Sequence, residues 1–282
     1  MSRVTIILSV VSIVLGGWIG QGSAAEVTPH YYVAVGGSLS VGFQPTPNAV
    51  SGEPTDDGYA NDLVTLESSR WPDLQVVHTG CPGETTQTML QGGDRCYAAP
   101  NSQIQAVVTF LRDNPGSTVL VTVDLGFNDV SRCLIHETVD SACVSRALDR
   151  IRLQLPEILR DIQAVTPADT EIIGLNHYDP YLADDRGDQH DQLFALRSVG
   201  IVDQLNDLLD QVYTQRGIEL ANVQAAFDHF GGETSVSDPG ADQMCDITWM
   251  CASPPLGPNP HPNDLGYRII ASAIASVVSR NP

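Results

Sequence analysis

The chain contains no lysine: its 14 basic residues are all arginine, set against 34 acidic residues for a formal charge of −20. A surface so poor in cations repels phosphate backbones and anionic lipid headgroups, which excludes nucleic acid as a partner. Also missing is any pair of CxxC spacings, and with it a thiolate zinc site. No apolar run is long enough for a comfortable bilayer span, so stable membrane insertion is not expected. The longest, from Val4 to Trp18, follows Arg3 and precedes Gly22-Ser23-Ala24-Ala25, small residues of the kind a signal peptidase accepts. Residues 1–25 are therefore expected to be a secretory signal and residues 26–282 the mature, single domain of a secreted protein. The cleavage region has no cysteine to carry a lipid anchor. Neither an internal repeat nor a linker divides the mature part, and a monomer is expected.

What the mature chain does have is six cysteines in three sequence-local couples. An even count in an exported chain predicts disulfides, here Cys81–Cys96, Cys133–Cys143 and Cys245–Cys251. Each would staple a loop rather than hold the whole fold.

Short apolar runs at Tyr31–Val35, Leu74–Thr79, Thr118–Leu125, Glu171–Leu175 and Glu219–Val223 read as strands. Between and after them, helical patterns cover Tyr59–Arg70, with Leu63, Val64 and Leu66 facing inward, then Gln103–Leu111, Val144–Val165, Gln192–Arg216 and Asp264–Arg280. Pro156 is expected to kink the third of these helices. Such alternation predicts an α/β chain with a central parallel sheet of about five strands, covered by helices on both faces. The stretch Phe43–Asp57, rich in proline and glycine, reads as a loop. Asp184, Asp185, Asp188, His190 and Asp191 read as a solvated acidic loop, because they lack the regular spacing of a calcium loop.

Four polar positions stand at strand ends or beside the last helix: Ser38, Gly83, Asn128 and His261. Open parallel sheets bind ligands in the crevice beyond the carboxyl ends of their strands. Taken alone, Ser38 would cap the next helix, and Gly83 and Asn128 would serve turns. Together they supply what acyl transfer needs. Ser38 offers a hydroxyl nucleophile, His261 a base, and the Gly83 backbone N–H with the Asn128 amide offers donors to a developing oxyanion. His177 and Asp179, at another strand end, read equally as pocket-lining or structural, and His78 as structural.

The motifs GGSLS at 36–40, GCPGETT at 80–86, GFND at 126–129 and HPND at 261–264 occur in one order along the mature chain. That ordered set resembles the SGNH hydrolases, the GDSL family of secreted esterases and lipases. The resemblance implies a flavodoxin-like three-layer sandwich, with Ser38 as nucleophile and His261 as general base. It also implies an oxyanion hole of the Ser38 N–H, Gly83 and Asn128, and no metal or cofactor. Two positions depart from the family pattern. Gly37 stands where an aspartate usually precedes the serine, and Pro258 where an aspartate usually lies three residues before the histidine. The expectation is therefore a Ser38–His261 dyad, its histidine oriented by a backbone carbonyl in the Trp249–Asn259 loop, with Asp179 or Asp246 as alternative acids. The implied function is hydrolysis of a small-molecule or lipid carboxylic ester. The alternatives are a polysaccharide acetylesterase and a catalytically silent binding protein that keeps the fold.

Overall fold

The segment Thr118–Asp124 is buried along almost its whole length, as a strand must be when helices cover both faces of its sheet. The computed structural model describes residues 29–135, 138–186, 189–230 and 241–278. Its strands are β1 (Tyr31–Gly36), β2 (Gln75–His78), β3 (Thr118–Asp124), β4 (Leu134–Ile135), β5 (Thr138–Val139), β6 (Glu171–Leu175), β7 (Glu219–Ala221), β8 (Thr248–Trp249) and β9 (Asn259–Pro262). The helices are α1 (Tyr59–Leu66), α2 (Thr86–Gln91), α3 (Gln103–Asp113), α4 (Phe127–Ser131), α5 (Ser141–Gln163), α6 (Gln189–Gln215), α7 (Val223–Asp228), α8 (Ala241–Ile247) and α9 (Asp264–Val277).

The main sheet is parallel in the order β2-β1-β3-β6-β7. This is the flavodoxin-like arrangement, in which the order reverses between β1 and β3 and opens a crevice at their carboxyl ends. Side-chain alternation along the strands sorts the core into two layers. Val33, Val35, Val121 and Val123 face α2, α3, α5 and α6, whereas Tyr32, Ala34, Leu120, Ile173 and Leu175 face α1, α7, α8 and α9. Each fully buried aliphatic side chain in these layers stabilises the fold by roughly 1.5–3 kcal/mol. β4–β5 and β8–β9 are small antiparallel hairpins outside the sheet.

The five predicted strands and five long helices are present, with ends shifted by a few residues. The largest difference is α1, which stops at Leu66. Tyr59, Ala60 and Leu63 enter the core with α9, while Leu66, the last residue of the helix, lies past that contact and is 49% exposed rather than buried. Pro156 lies inside α5. The helices α2, α4, α7 and α8 were not legible beforehand, since none spans enough turns to show a period. All three predicted disulfides are formed. Among the described residues no helix is long and apolar enough to cross a membrane. The predicted signal at 1–25 lies outside the described residues, as do residue 188 and the side chains of Asp184, Asp185 and His190 from the acidic loop.

Candidate active site

The turn after β1 is shaped by what cannot fit there. Gly36 has φ 136°, and a Cβ on it would lie 2.0 Å from the Asp124 main-chain oxygen, so only glycine is tolerated. The Gln103 amide clamps the Gly36 peptide, with Oε1 accepting from its N–H (2.8 Å) and Nε2 donating to its oxygen (3.0 Å). Gly37 N–H then donates to Asp124 O at 3.1 Å. Ser38 follows at φ −65°, before the 3₁₀ turn Leu39–Val41, and its side chain makes no capping bond to that turn. Instead its Oγ lies 2.9 Å from His261 Nε2, across 223 positions of sequence.

His261 arrives on β9, which pairs with β8 next to the Cys245–Cys251 bridge. Tyr178 Oη donates to Pro260 O at 2.6 Å, the Phe43 ring packs 4.9 Å from the imidazole, and Asn263 caps α9 just beyond. The Asn259 side-chain oxygen lies 2.7 Å from His261 Nδ1 and 3.1 Å from the His261 backbone nitrogen. The backbone N–H can only donate, so this side-chain atom must be the carbonyl oxygen, and Nδ1 donates to it as well. That leaves Nε2 free to accept from Ser38.

The orienting acceptor is thus a side-chain carbonyl and not the expected backbone one. Neither alternative acid takes that place. Asp179 accepts from Ser198 Oγ (2.7 Å) and the Tyr181 N–H (3.0 Å), and Asp246 is exposed. With burial acting on it and no anion beside it, the His261 imidazole falls to a pKa of about 4.

Asn128, on α4, borders the same turn, and its Nδ2 lies 2.9 Å from where a Cβ on Gly37 would sit. The GCPGETT turn is tied in through Cys81 N–H to Gly36 O (3.0 Å). Asp129 joins that turn to GFND, its carboxylate accepting from Thr86 N–H and Oγ1, both at 2.9 Å. Among the described residues, neither the Ser38 N–H nor the Gly83 N–H donates to a protein acceptor. Buried Glu84 accepts from Gln103 Nε2 at 2.7 Å and from Thr88, and burial pushes its carboxyl up to about 8. Gln103 therefore links the serine turn to the Gly83 turn.

Ser38, Phe127, Asn128, His177, Tyr181 and His261 line a cavity of about 110 Å³. Asp124 also borders it, and its carboxyl is 3.4 Å from His177 Nε2, which faces Leu125 O at 3.3 Å. Burial lowers the His177 imidazole to about 4, so that ring is neutral at pH 7. Asp179 does not line this cavity. His78 has a structural role, with Nδ1 donating to Ser40 O at 2.9 Å behind the serine turn. Among the described residues, the one His/Cys/Asp/Glu group close enough to share a metal ion is Cys81, Asp94 and Cys96, but the two cysteines are bonded to each other and offer no thiolate.

The structure thus brings Ser38, His261 and Asn128 to one cavity, whose lining does not include Gly83, and it adds Asn259, Asp124 and Gln103, which had not been read from the sequence. The available signal for Asn259 was an asparagine two residues before the histidine, and for Asp124 an acid closing an otherwise apolar strand.

No curated protein matches the chain. Several solved structures share its fold. An extracellular lipase from Streptomyces rimosus superposes with a TM-score of 0.59 at 18% identity, covering 88% of this chain and 100% of its own. A phospholipase A1 from Streptomyces albidoflavus gives 0.57 at 17%, covering 89% and 100%. An acetylxylan esterase from Geobacillus stearothermophilus gives 0.53 at 17%, covering 88% and 93%. At these identities the likeness is one of fold. The family model for GDSL-like lipases and acylhydrolases matches residues 34–269, nearly the whole described chain, and the protein belongs to that family.

Proposed function

We propose that the protein is a secreted serine esterase that hydrolyses short-chain carboxylic esters through an acyl-enzyme. The observation that carries this reading is the 2.9 Å contact between Ser38 Oγ and His261 Nε2, with Nδ1 held by Asn259. Ser38 Oγ attacks the ester carbonyl carbon as its proton passes to Nε2. The Ser38 and Gly83 N–H groups and the Asn128 amide receive the negative charge that develops on the carbonyl oxygen. When the C–O bond breaks, the imidazolium returns that proton to the departing alcohol. A water molecule, deprotonated by the same nitrogen, then attacks the Ser38 ester, and the imidazolium gives that proton to the departing Ser38 Oγ as the acid is released.

The size of the cavity favours a short acyl group. At about 110 Å³ it is smaller than the ~150 Å³ closed cavity known to admit a benzene ring, which supports a short acyl group beside Ser38. On that ground this reading prefers acetyl esters, including those of polysaccharides, to long-chain lipids. Three local disulfides suit an oxidising, extracellular setting. A silent binding protein would have no need of a serine and a tautomer-fixed histidine in contact. A panel of chromogenic esters of increasing acyl length tests the proposal. Turnover should be highest for acetyl to butyryl esters and absent in Ser38→Ala, and an equally active Ser38→Ala protein would overturn it.

A further inference from the structure

Strand β1 outruns the strand beside it. It pairs with β2 only as far as Ala34, opposite His78, yet continues to Gly36, opposite Asp124 of β3. On the side where β2 has ended, the N–H and C=O of buried Gly36 need other partners. Cys81 N–H donates to Gly36 O at 3.0 Å, which by itself satisfies that oxygen. The amide of Gln103, the first residue of α3, adds more than satisfaction requires. Its Oε1 accepts from Gly36 N–H at 2.8 Å and its Nε2 donates to Gly36 O at 3.0 Å, so it grips the edge that a neighbouring strand would use. The second Nε2 hydrogen goes to Glu84 Oε2 at 2.7 Å. Both side chains are fully buried, and an amide needed only by Gly36 would not call for a buried acid behind it. Glu84 directly follows Gly83. Its Oε1 accepts from Thr88 Oγ1, which in turn accepts from Thr85 N–H at 2.9 Å, so the acid is fastened to the Gly83 turn and the start of α2. The bonds therefore run without a break from the residue two before the nucleophile to the turn that carries the Gly83 N–H. Neither Gln103 nor Glu84 lines the cavity at Ser38.

We propose that Gln103 is a positioning residue for both halves of the site: its amide holds Gly36 directly and the Gly83 turn through Glu84, so that Ser38 Oγ and the Gly83 N–H keep one fixed spacing. Two glycines precede the nucleophile, the residues with the greatest backbone freedom, and a buried amide that engages both polar groups of the first removes that freedom. Gln103 does not touch the reacting atoms. Its effect runs through the two turns, and so falls on kcat more than on substrate binding.

The proposal rests on the esterase reading of Ser38 and Gly83, and two experiments separate the two ideas. The first measures kcat, KM and thermal stability of Gln103→Met, Glu84→Met and the double variant with an acetyl ester. Methionine keeps the volume of either side chain and removes its hydrogen bonds. Displacing a reacting group by about 1 Å costs about 10²-fold in rate, so Gln103→Met is expected to lose about that in kcat with KM within about threefold. Glu84→Met breaks one link only, and its loss should be nearer tenfold. Because both residues act through one chain of bonds, the double variant should lose no more than Gln103→Met alone. A purely structural glutamine would lower Tm while leaving kcat per folded molecule unchanged. That result, or losses that multiply in the double variant, would overturn the proposal. The second experiment needs no turnover. In crystal structures of the wild type and of Gln103→Met, or of Glu84→Met if Gln103→Met does not fold, the Gly83 turn should move relative to Ser38 by about 1 Å. Turns superimposable on the wild type would overturn the proposal, whatever the activity. Displaced turns would uphold it even in a protein that hydrolysed no ester, an outcome that would instead sink the esterase reading.

Discussion

Replacing Asn259 by alanine removes the acceptor for both the His261 Nδ1–H (2.7 Å) and the His261 backbone N–H (3.1 Å). The imidazole is then free to rotate and to place its proton on Nε2, the nitrogen that must accept from Ser38. The lost bond is neutral and worth roughly 0.5–1.5 kcal/mol by itself, or about tenfold in rate. Misorientation of the base adds up to about 10²-fold. The expected fall in kcat is therefore about 10²- to 10³-fold, less than the ~10⁴ seen where a charged triad acid is neutralised.

Asn259→Asp supplies the contrast. It keeps an acceptor in place but sets an anion beside the ring, which favours the imidazolium and raises the His261 pKa above about 4. Only the neutral ring can take the serine proton, so activity grows as pH rises through that pKa. The acidic limb of kcat/KM should accordingly lie near pH 4 in the wild type and move to higher pH in Asn259→Asp. Steady-state kinetics on an acetyl ester, run across both limbs, measure both effects. An Asn259→Ala enzyme within threefold of wild type, or an Asn259→Asp enzyme with an unmoved limb, would show that Asn259 does not orient the imidazole.

Glu84→Gln should stabilise the protein increasingly as pH rises. The carboxyl releases its proton near the ordinary pKa of 4.5 when unfolded but only near 8 when folded, so the native state binds more protons in that window and loses stability across it. Melting curves should show a Tm gap between variant and wild type that widens from the lower to the upper pH, and a constant gap would contradict this. Gly36→Ala should fail to fold, because its Cβ would lie 2.0 Å from the Asp124 main-chain oxygen, and circular dichroism of the purified chain is the check. Tyr181→Ala, at the cavity wall, should move the preferred acyl length upward by one or two carbons on the chromogenic panel, and an unchanged profile would show that the acyl group lies elsewhere.

The strands could be read in advance because buried parallel strands are continuous apolar runs, and the long helices because their periods repeat over several turns. Ser38 and His261 were legible for a different reason. Alone, each would serve the helix beside it, and only the four motifs in one order along the chain give them a joint role. Asn259 was hidden because asparagine among prolines reads as a turn residue. Whether a side chain or a backbone carbonyl would face Nδ1 depends on the path of the β8–β9 hairpin, a tertiary feature two residues wide. Asp124 was hidden by its neighbours: in the run TVLVTVDL a single acid hardly alters the apolar pattern, and only the register of β3 beside β1, Asp124 opposite Gly36, brings it to the serine turn.

Whether Ser38 carries the acyl group can be read directly from the protein. The direct measurement is mass spectrometry of the protein after reaction with a fluorophosphonate, followed by mapping of the modified peptide. One adduct per chain is expected on Ser38, formed much more slowly in His261→Ala and not at all in Ser38→Ala. An adduct on another serine, or labelling of Ser38 at the same rate without His261, would contradict it.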